Sequence, residues 1–207
     1  MELQFFGANC VRITTKKASV VVDDNLAKLG LKSITKPTDI AVHTSKDIGG
    51  EAAQFTTDMP GEYEIADVVI HGIAARSHME DKGKASATIF TISSGNLSAV
   101  VLGHIYPELS DEQIEQIGPV DIAIVPVGGN GYTMDGVGAL SVIKKLEPKV
   151  VIPTHYADRG IKYEVPQTEL EEALKNLGME AAETTDKYKA KPGELSDTTQ
   201  LVVLERQ

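Results

Sequence analysis

The chain of 207 residues has almost no cysteine: Cys10 stands alone, so it can form neither an internal disulfide nor a cysteine-rich zinc site. Long apolar runs are missing as well. The apolar stretches have the length of β-strands and are shorter than the ~20 residues that a membrane-spanning helix needs. Since no basic segment followed by an apolar run stands near the N-terminus, the sequence predicts a soluble, cytoplasmic protein without a membrane partner.

Positive charge is also scarce. The sequence has 20 lysines and arginines against 30 aspartates and glutamates, a formal net charge of −10. Because phosphate-rich surfaces are bound by clustered basic side chains, this balance argues against a nucleic-acid partner. No linker or low-complexity tract interrupts the chain, and its length suits one domain with its own core. We therefore expect a single domain over residues 1–207, and the sequence leaves homo-oligomer formation open.

The apolar pattern predicts strands and hairpins in the first half and alternating strands and helices in the second. Residues 88–92 and 97–102 flank the turn Ser93-Ser94-Gly95-Asn96, which indicates a hairpin. Ser110 and Gln113 have capping-box spacing at the start of a short helix. Later elements are predicted as a strand at 120–127, a helix at 135–146, a strand at 149–154, a helix from Thr168 to Gly178 and a strand at 200–204. Such a series indicates sheets with helices packed outside them.

Three of the five histidines fall just past the C-terminal end of a predicted strand. They are His78, His104 and His155. Imidazole is the commonest metal ligand and the usual general base near neutral pH, so histidines from separate strands could build one site. A single histidine at a strand end is more often solvated or hydrogen-bonded, so their convergence is a hypothesis that a structure must test.

Several blocks of sequence carry a family resemblance. In chain order they are Gly7-Ala8-Asn9-Cys10-Val11-Arg12-Ile13, Val21-Val22-Asp23-Asp24, Pro60-Gly61-Glu62-Tyr63-Glu64, Val125-Pro126-Val127-Gly128-Gly129 with Tyr132-Thr133-Met134-Asp135, and Pro148-Lys149-Val150-Val151-Ile152-Pro153-Thr154-His155-Tyr156. Together they resemble the metallo-β-lactamase superfamily, in its compact lactonase-like branch, which includes ascorbate-6-phosphate lactonase. The resemblance implies an α/β fold, a four-layer αββα sandwich of two mixed β-sheets with helices on the outer faces. It also implies a metal site in a groove at one edge of the sheets.

Only some of the family's metal ligands have a counterpart in this sequence. The family holds two zinc or similar ions with a Thr-His-x-His-x-Asp-His motif, a later histidine, a bridging aspartate and a final histidine. His78 stands at the later histidine and His155 at the final one, whereas His104 replaces the bridging aspartate. In the motif, Thr44 is retained and Asp47 lies near the second histidine, but the closing Asp-His pair is missing. The resemblance therefore implies a degraded two-metal site.

Two kinds of function follow from this pattern, and the sequence leaves open whether the chain is an enzyme. In the first, His78, His104 and His155 hold one zinc or similar divalent ion, while Asp47 and His104 act in catalysis. The bound water then attacks a small ester, lactone or phosphate-containing metabolite. In the second, no metal binds and the groove serves a non-catalytic binding or scaffold protein, because most of the motif is lost.

The loop after the strand at 120–127 is predicted to pass beside the groove. We predict that Gly129, Asn130 and Tyr132, together with Tyr156, contact a small-molecule ligand. The glycines lack the spacing of a P-loop or a dinucleotide site, which favours tight loop packing over phosphate binding. Asp23 and Asp24 end a strand where the family keeps a structural aspartate that braces the metal loop, so we expect a supporting role for them and not a catalytic one.

Overall fold

The computed structural model describes residues 1–46, 48–50 and 52–207. Its strands are β1 (Glu2–Gly7), β2 (Cys10–Thr14), β3 (Ser19–Val22), β4 (Ile40–Val42), β5 (Phe55–Thr57), β6 (Gly61–Ile65), β7 (Val68–Ala75), β8 (Ala87–Ser94), β9 (Leu97–Val101), β10 (Ile122–Pro126), β11 (Val150–Thr154), β12 (Ala181–Thr185), β13 (Tyr188–Lys189) and β14 (Gln200–Leu204). Its α-helices are α1 (Asp111–Ile117), α2 (Gly136–Leu146) and α3 (Leu170–Leu177), and a 3-10 helix covers Leu26–Leu29.

The strands of the described residues form two mixed sheets. A six-stranded sheet has the order β13-β1-β2-β3-β4-β5, in which β3, β4 and β5 run parallel to one another and the other pairs are antiparallel. An eight-stranded sheet has the order β12-β14-β11-β10-β9-β8-β7-β6. Its first five strands run parallel, and β8, β7 and β6 continue it as antiparallel strands. Parallel pairs within each sheet bring the carboxyl ends of several strands to one edge.

The two sheets pack face to face over one apolar core. Phe5 and Val20 from the six-stranded sheet meet Phe90, Ile124 and Ile152 from the eight-stranded sheet, and all five are buried. Strands β10 and β11 are buried along their whole length, which explains their continuous apolar sequence. Their alternate side chains enter a second core on the other face of the sheet, beneath the helices.

Helices α1, α2 and α3 cover the outer face of the eight-stranded sheet. Helix α1 begins with the predicted capping box, in which the Ser110 hydroxyl accepts from the Gln113 N–H and the Gln113 side chain accepts from the Ser110 N–H. The outer face of the six-stranded sheet is covered by the short 3-10 helix, whose Leu26 packs on Cys10 and Val21. The αββα sandwich with two mixed sheets is thus confirmed, and one of its outer layers is thin.

Some elements carried no clear pattern in the sequence. Strand β12 has the sequence Ala-Ala-Glu-Thr-Thr and is almost wholly exposed, so it shows no alternation of apolar and polar residues. The segment Gly61–Ile65, which was not predicted as a separate strand, forms the edge strand β6. Within the described residues, we find no helix with the length and apolar character needed to cross a membrane.

Candidate active site

Two of the strand-end histidines lie in direct contact. His104 follows β9 and His155 follows β11, with β10 between these strands in the sheet. Their Nε2 atoms are 3.3 Å apart, and the rings meet edge to face with centroids 4.9 Å apart. The residues are only 9% and 3% exposed, respectively. The parallel strands therefore bring these two imidazoles together, and we call them the histidine pair.

Burial determines the charge of the histidine pair. It lowers the pKa of His104 to about 3, with a further lowering by charge on His155 and His78. Burial also lowers the pKa of His155 to about 4, although the hydrogen bond to Gln167 opposes the effect. Both rings are therefore neutral at pH 7. Neutral imidazole is a poor proton acceptor at such a pKa, but it is the form of histidine that binds metals.

The backbone of His155 is held tightly at the end of β11. Its φ is 56°, in the left-handed region that non-glycine residues seldom adopt. Its N–H donates to the Ala8 carbonyl at 2.8 Å, and its Nδ1 lies 3.1 Å from Oε1 of Gln167. The Gln167 Nε2 in turn donates to the Val165 carbonyl at 2.9 Å. A Cβ on Gly128 would collide with the His155 carbonyl and the Gln167 side chain, so only glycine lets the loop after β10 pass.

A buried polar network links the histidine pair to the six-stranded sheet. Asp23, at the end of β3, accepts from the N–H and Oγ1 of Thr44 at 2.7 and 2.6 Å and from Nδ2 of Asn9 at 3.4 Å. Oδ1 of Asn9 accepts from Oγ1 of Thr154 at 2.7 Å, and Nδ2 lies 3.5 Å from Nδ1 of His104. Burial raises the pKa of Asp23 to about 7, although the hydrogen bonds from Thr44 and Asn9 lower it. The network agrees with the expected bracing role of Asp23.

The histidine pair lines a cavity of about 390 Å³. Two tyrosines stand over the imidazoles. The Tyr132 ring centroid is 5.2 Å from that of His104 and 5.7 Å from that of His155, and the Tyr163 centroid is 5.2 Å from that of His155. A small molecule in this cavity would therefore contact the edges of both imidazoles between aromatic walls.

The charged side chains of this cavity are mostly basic. Lys28 and Lys162, both exposed, contribute to its lining, and Glu164 is the one carboxylate among the described lining residues. Lys28 is held by a 2.8 Å hydrogen bond from Nζ to the Ile48 carbonyl. Among the described lining residues, lysines therefore outnumber carboxylates by two to one.

A larger depression lies at the opposite edge of the eight-stranded sheet. Its volume is about 680 Å³, and it is lined by the hairpin turn at Gly95, the end of α1 at Gly118 and the start of β11 at Lys149. No histidine is among its described lining residues. Because parallel strands present their functional groups at their carboxyl ends, the smaller cavity is the candidate site.

His78 lies next to the histidine pair but does not join it. Its N–H donates to the His104 carbonyl at 2.7 Å, while its ring packs beside Tyr106 with centroids 5.7 Å apart. Its neighbours Ser77 and Met79 line the cavity, and His78 does not. In the described ranges 1–46, 48–50 and 52–207, no three His, Cys, Asp or Glu side chains are close enough together to hold a metal ion. The predicted three-histidine set is therefore not assembled, because the third ring packs beside Tyr106.

The spacing of the histidine pair nevertheless fits two ligands of one metal ion. Two nitrogens each ~2.0–2.1 Å from a tetrahedral zinc lie about 3.3–3.4 Å apart, and the Nε2 atoms of His104 and His155 are 3.3 Å apart. The outer nitrogen of His155 faces the side-chain carbonyl of Gln167, the usual support of a metal-binding histidine. The outer nitrogen of His104 faces the amide nitrogen of Asn9. His155 thus fits a metal site in spacing and support, whereas His104 fits in spacing alone.

Of the four residues predicted to contact a substrate, Tyr132 alone is among the described lining residues of the cavity. Gly129 instead forms the turn of its own loop, where its N–H donates to the Met134 carbonyl at 3.0 Å. Asn130 holds this loop to the next one by donating from Nδ2 to the Pro166 carbonyl at 2.8 Å. The glycine-rich loop therefore shapes the surroundings of the site, and a substrate contact at Gly129 or Asn130 stays a prediction.

Tyr156 is not among the described lining residues of the cavity either, and its contact with a ligand stays a prediction. Its side chain turns away from the cavity, packs on Phe5 with ring centroids 5.6 Å apart and donates from its hydroxyl to the Leu204 carbonyl at 3.3 Å. The chain leaves the extended conformation at His155, whose φ is 56°, and the residue after it is directed towards the core. Asp47, the other predicted catalytic residue, lies outside the described residues.

Asn9, Tyr163 and Gln167 were not singled out from the sequence, although each contacts the histidine pair in the structure. Asn9 lies in the tight turn between β1 and β2, in a block that carried the family resemblance. A polar residue between two buried strands could have indicated a site residue. Tyr163 and Gln167 lie in the long loop before α3, where no spacing pattern links them to His155.

Two stacked mixed sheets with a histidine-bearing cavity at the carboxyl ends of their strands define the class of metallo-β-lactamase folds. Residues 2–155 match the family model described as the beta-lactamase superfamily domain. Because this match covers most of the chain, the protein belongs to that superfamily. A protein of the metallo-β-lactamase superfamily from Thermotoga maritima has a similar solved structure, with a TM-score of 0.76, 22% sequence identity and coverage of 99% of this chain and 98% of that one.

Other similar proteins are named as hydrolases. A UPF0173 metal-dependent hydrolase of Natranaerobius thermophilus is 26% identical over 186 residues, which cover 75% of this chain and 83% of the relative. The structure of Igni18, a metallo hydrolase of Ignicoccus hospitalis, matches with a TM-score of 0.54 and 19% identity over 79% of this chain and 86% of that one. The structural similarities support the fold.

Proposed function

We propose that this protein is a hydrolase that cleaves a small ester, lactone or phosphate-containing metabolite in the cavity beside His104 and His155, and that it depends on one zinc or similar divalent metal ion. The observation that carries the proposal is the histidine pair itself. Two buried, neutral imidazoles have their Nε2 atoms 3.3 Å apart. Relatives such as the Natranaerobius protein are named metal-dependent hydrolases, which supports the same reading.

The low pKa values of the pair favour metal binding over metal-free base catalysis. With pKa values of about 3 and 4, His104 and His155 would hold a proton from water only weakly at pH 7. The same values keep both nitrogens available as metal ligands without competition from bulk protons. A divalent ion bound there would supply a Lewis acid and a bound water with a pKa of ~7.

The chain's own residues would bind and orient the substrate. Tyr132 and Tyr163 stand beside the imidazoles and would pack against the substrate while excluding bulk water. Lys162 would attract an acidic group, which favours a metabolite that carries a phosphate or carboxylate. His155, fixed by Gln167, would hold its position throughout the reaction.

The proposal is tested with protein purified without a metal-affinity column and stripped with EDTA. A panel of lactones, carboxylic esters and phosphate esters is assayed with and without zinc, manganese and magnesium. We expect turnover that needs close to one equivalent of metal, and metal that raises the melting temperature because it binds the folded state. His155→Ala and His104→Ala should abolish both effects.

His71→Ala is the matched control. His71 lies on β7, partly buried and outside the cavity lining, so its loss should leave metal content and turnover unchanged. If folded protein takes up less than a tenth of an equivalent of any of these metals and cleaves nothing in the panel, the hydrolase proposal fails. A non-catalytic binding role for the cavity would then be the better description.

A further inference from the structure

The orientation of the Asn9 side-chain amide is fixed by partners on two sides. Thr154 donates its hydroxyl to Oδ1 at 2.7 Å, and Nδ2 faces the carboxylate of Asp23, which accepts. The same Nδ2 faces Nδ1 of His104 at 3.5 Å. Because an amide NH2 group has no lone pair to offer, Nδ1 of His104 must be the nitrogen without a proton.

The hydrogen bonds through the histidine pair must then all run in one direction, from His104 to His155 and from His155 to Gln167. Neutral His104 must carry its proton on Nε2, which donates to Nε2 of His155 at 3.3 Å. His155 therefore carries its own proton on Nδ1, which donates to Oε1 of Gln167 at 3.1 Å. The Gln167 amide is fixed in that orientation because its Nε2 donates to the Val165 carbonyl. The two histidines thus have opposite tautomers.

We propose that Asn9 is a positioning residue that holds His104 with its proton on Nε2 and so limits how readily the histidine pair takes up a metal ion. A nitrogen that binds a metal needs its lone pair, so the proton of His104 must move to Nδ1 before Nε2 can become a ligand. Nδ1–H then needs an acceptor. Asn9 can supply one only by turning its amide over, which removes its hydrogen bond to Asp23.

Gln167 has the opposite effect on the other histidine. Metal-binding histidines usually donate their outer N–H to a carboxylate or carbonyl oxygen, and such supporting partners commonly change metal affinity 10–100-fold. His155 already has this support, and His104 has the amide nitrogen of Asn9 in its place. The inference rests on the proposed function only in taking this pair as the place where a metal binds.

The first test is nitrogen NMR of metal-free wild-type protein with 15N-labelled histidine at pH 8, with resonances assigned through His104→Gln and His155→Gln. We expect His104 to be protonated on Nε2 and His155 on Nδ1. On addition of zinc, His104 should change to the Nδ1–H form. A metal-free His104 that already carries its proton on Nδ1 would overturn the proposal, whether or not the protein shows hydrolase activity.

Two variants test the effect on metal uptake, with zinc affinity measured by competition with a chromophoric chelator. Asn9→Asp offers an acceptor to His104 Nδ1, so it should tighten zinc binding about 10–100-fold and move the His104 proton to Nδ1 without metal. Gln167→Leu, the matched control on the other histidine, should weaken zinc binding by a similar factor. Folding of both is checked by thermal melting, and if Asn9→Asp does not fold, the wild-type NMR result decides.

An Asn9→Asp protein that folds and binds zinc no more tightly than wild type would overturn the proposed effect on metal uptake. The proposed function fails separately, if the expected tautomers are found but the folded protein takes up less than a tenth of an equivalent of metal and cleaves no substrate of the panel.

Discussion

Thr44 donates both its backbone N–H and its hydroxyl to the carboxylate of Asp23, at 2.7 and 2.6 Å. Thr44 lies just past the end of β4, beside the end of the parallel strand β3. These two hydrogen bonds therefore join two parallel strand ends and fix the aspartate that contacts Asn9.

Replacement of Thr44 by valine should destabilise the fold. The variant keeps the shape and the backbone hydrogen bond but removes one donor from a buried carboxylate, so we expect a loss of roughly 1.5–3 kcal/mol in urea unfolding. Thr88→Val is the matched control, since Thr88 is also buried but donates to the neutral carbonyl of Asp58 at 3.0 Å. Thr88→Val should lower the free energy of unfolding by only ~1 kcal/mol. Equal losses in the two variants would contradict a special role for the Thr44 hydroxyl.

Gly103 sets the path of the chain into His104. It has a φ of +58°, and a Cβ there would collide with the Thr44 side chain. We expect Gly103→Ala to cost ~1 kcal/mol for the left-handed backbone and a further ~1–3 kcal/mol for overpacking, measured by urea unfolding. The displaced His104 should also weaken metal uptake.

The chain offers a control with the same backbone angle. Gly95 has a φ of +58° in the hairpin turn, and a Cβ there meets open space. Gly95→Ala should therefore lower the free energy of unfolding only by the cost of the left-handed backbone. The further loss in Gly103→Ala then measures the cost of the contact with Thr44. If both alanine variants lose the same stability, Gly103 is needed only for its backbone angle.

Acid should destabilise the metal-free protein through the histidine pair. The folded-state pKa values of about 4 and 3 lie below the ordinary value of 6.5, so below pH 6.5 the unfolded chain binds two protons that the folded protein excludes. The stability that depends on these neutral rings is present above pH 6.5 and falls as the pH decreases towards 4. Asp23 acts in the other direction, because its folded pKa of about 7 exceeds its ordinary value of 3.8.

Summed over His104, His155 and Asp23, the unfolded state binds about one proton more than the folded state between pH 6 and 4.5. These three groups should lower the free energy of unfolding by roughly 1.4 kcal/mol for each pH unit of acidification. Asp23→Asn removes the opposing proton, so its slope should be steeper by about the same amount, although the variant is less stable at every pH. Urea unfolding in EDTA at four pH values measures both slopes, and parallel slopes would count against a raised pKa for Asp23.

Lys162 should act on substrate binding more than on chemistry. Lys162→Gln removes an exposed positive charge from the cavity, so KM for a phosphate- or carboxylate-bearing substrate should rise about 3–5-fold, the size of one solvent-screened ion pair. Values of kcat, and KM for a neutral substrate, should change little. Lys144→Gln, an exposed lysine on α2 outside the cavity lining, is the control. An equal rise in KM for neutral substrates would show a loss of packing and not of charge.

The sequence predicted most of the fold because its buried strands and capped helices carry strong local patterns. The continuous apolar residues of β10 and β11, the capping box at Ser110 and the turn at Gly95 are local features, and the structure contains all of them. Strand β12 lacked such a pattern, because its side chains are almost wholly exposed and it pairs with β14, which lies further along the chain. Strand β6 forms a hairpin with β7 and buries its alternate side chains only partly, so its pattern was weaker.

The candidate site was predicted only in part. His104 and His155 could be recognised because each ends a buried strand, and parallel pairing brings such ends together. The direction of a side chain beyond a strand end depends on packing that no local pattern records. Tyr156 therefore turned into the core, and the ring of His78 lies beside Tyr106.

The sequence by itself determined which strands are buried, where the helices begin and that histidines stand at three strand ends, because these properties follow from side-chain chemistry within short stretches of chain. The tertiary structure alone decided that two of those histidines meet with Nε2 atoms 3.3 Å apart and that Asn9 and Gln167 hold their outer nitrogens. Those contacts join residues separated by 12 to 95 positions. Only the packing of one sheet against the other and the long loop before α3 bring them within hydrogen-bonding distance.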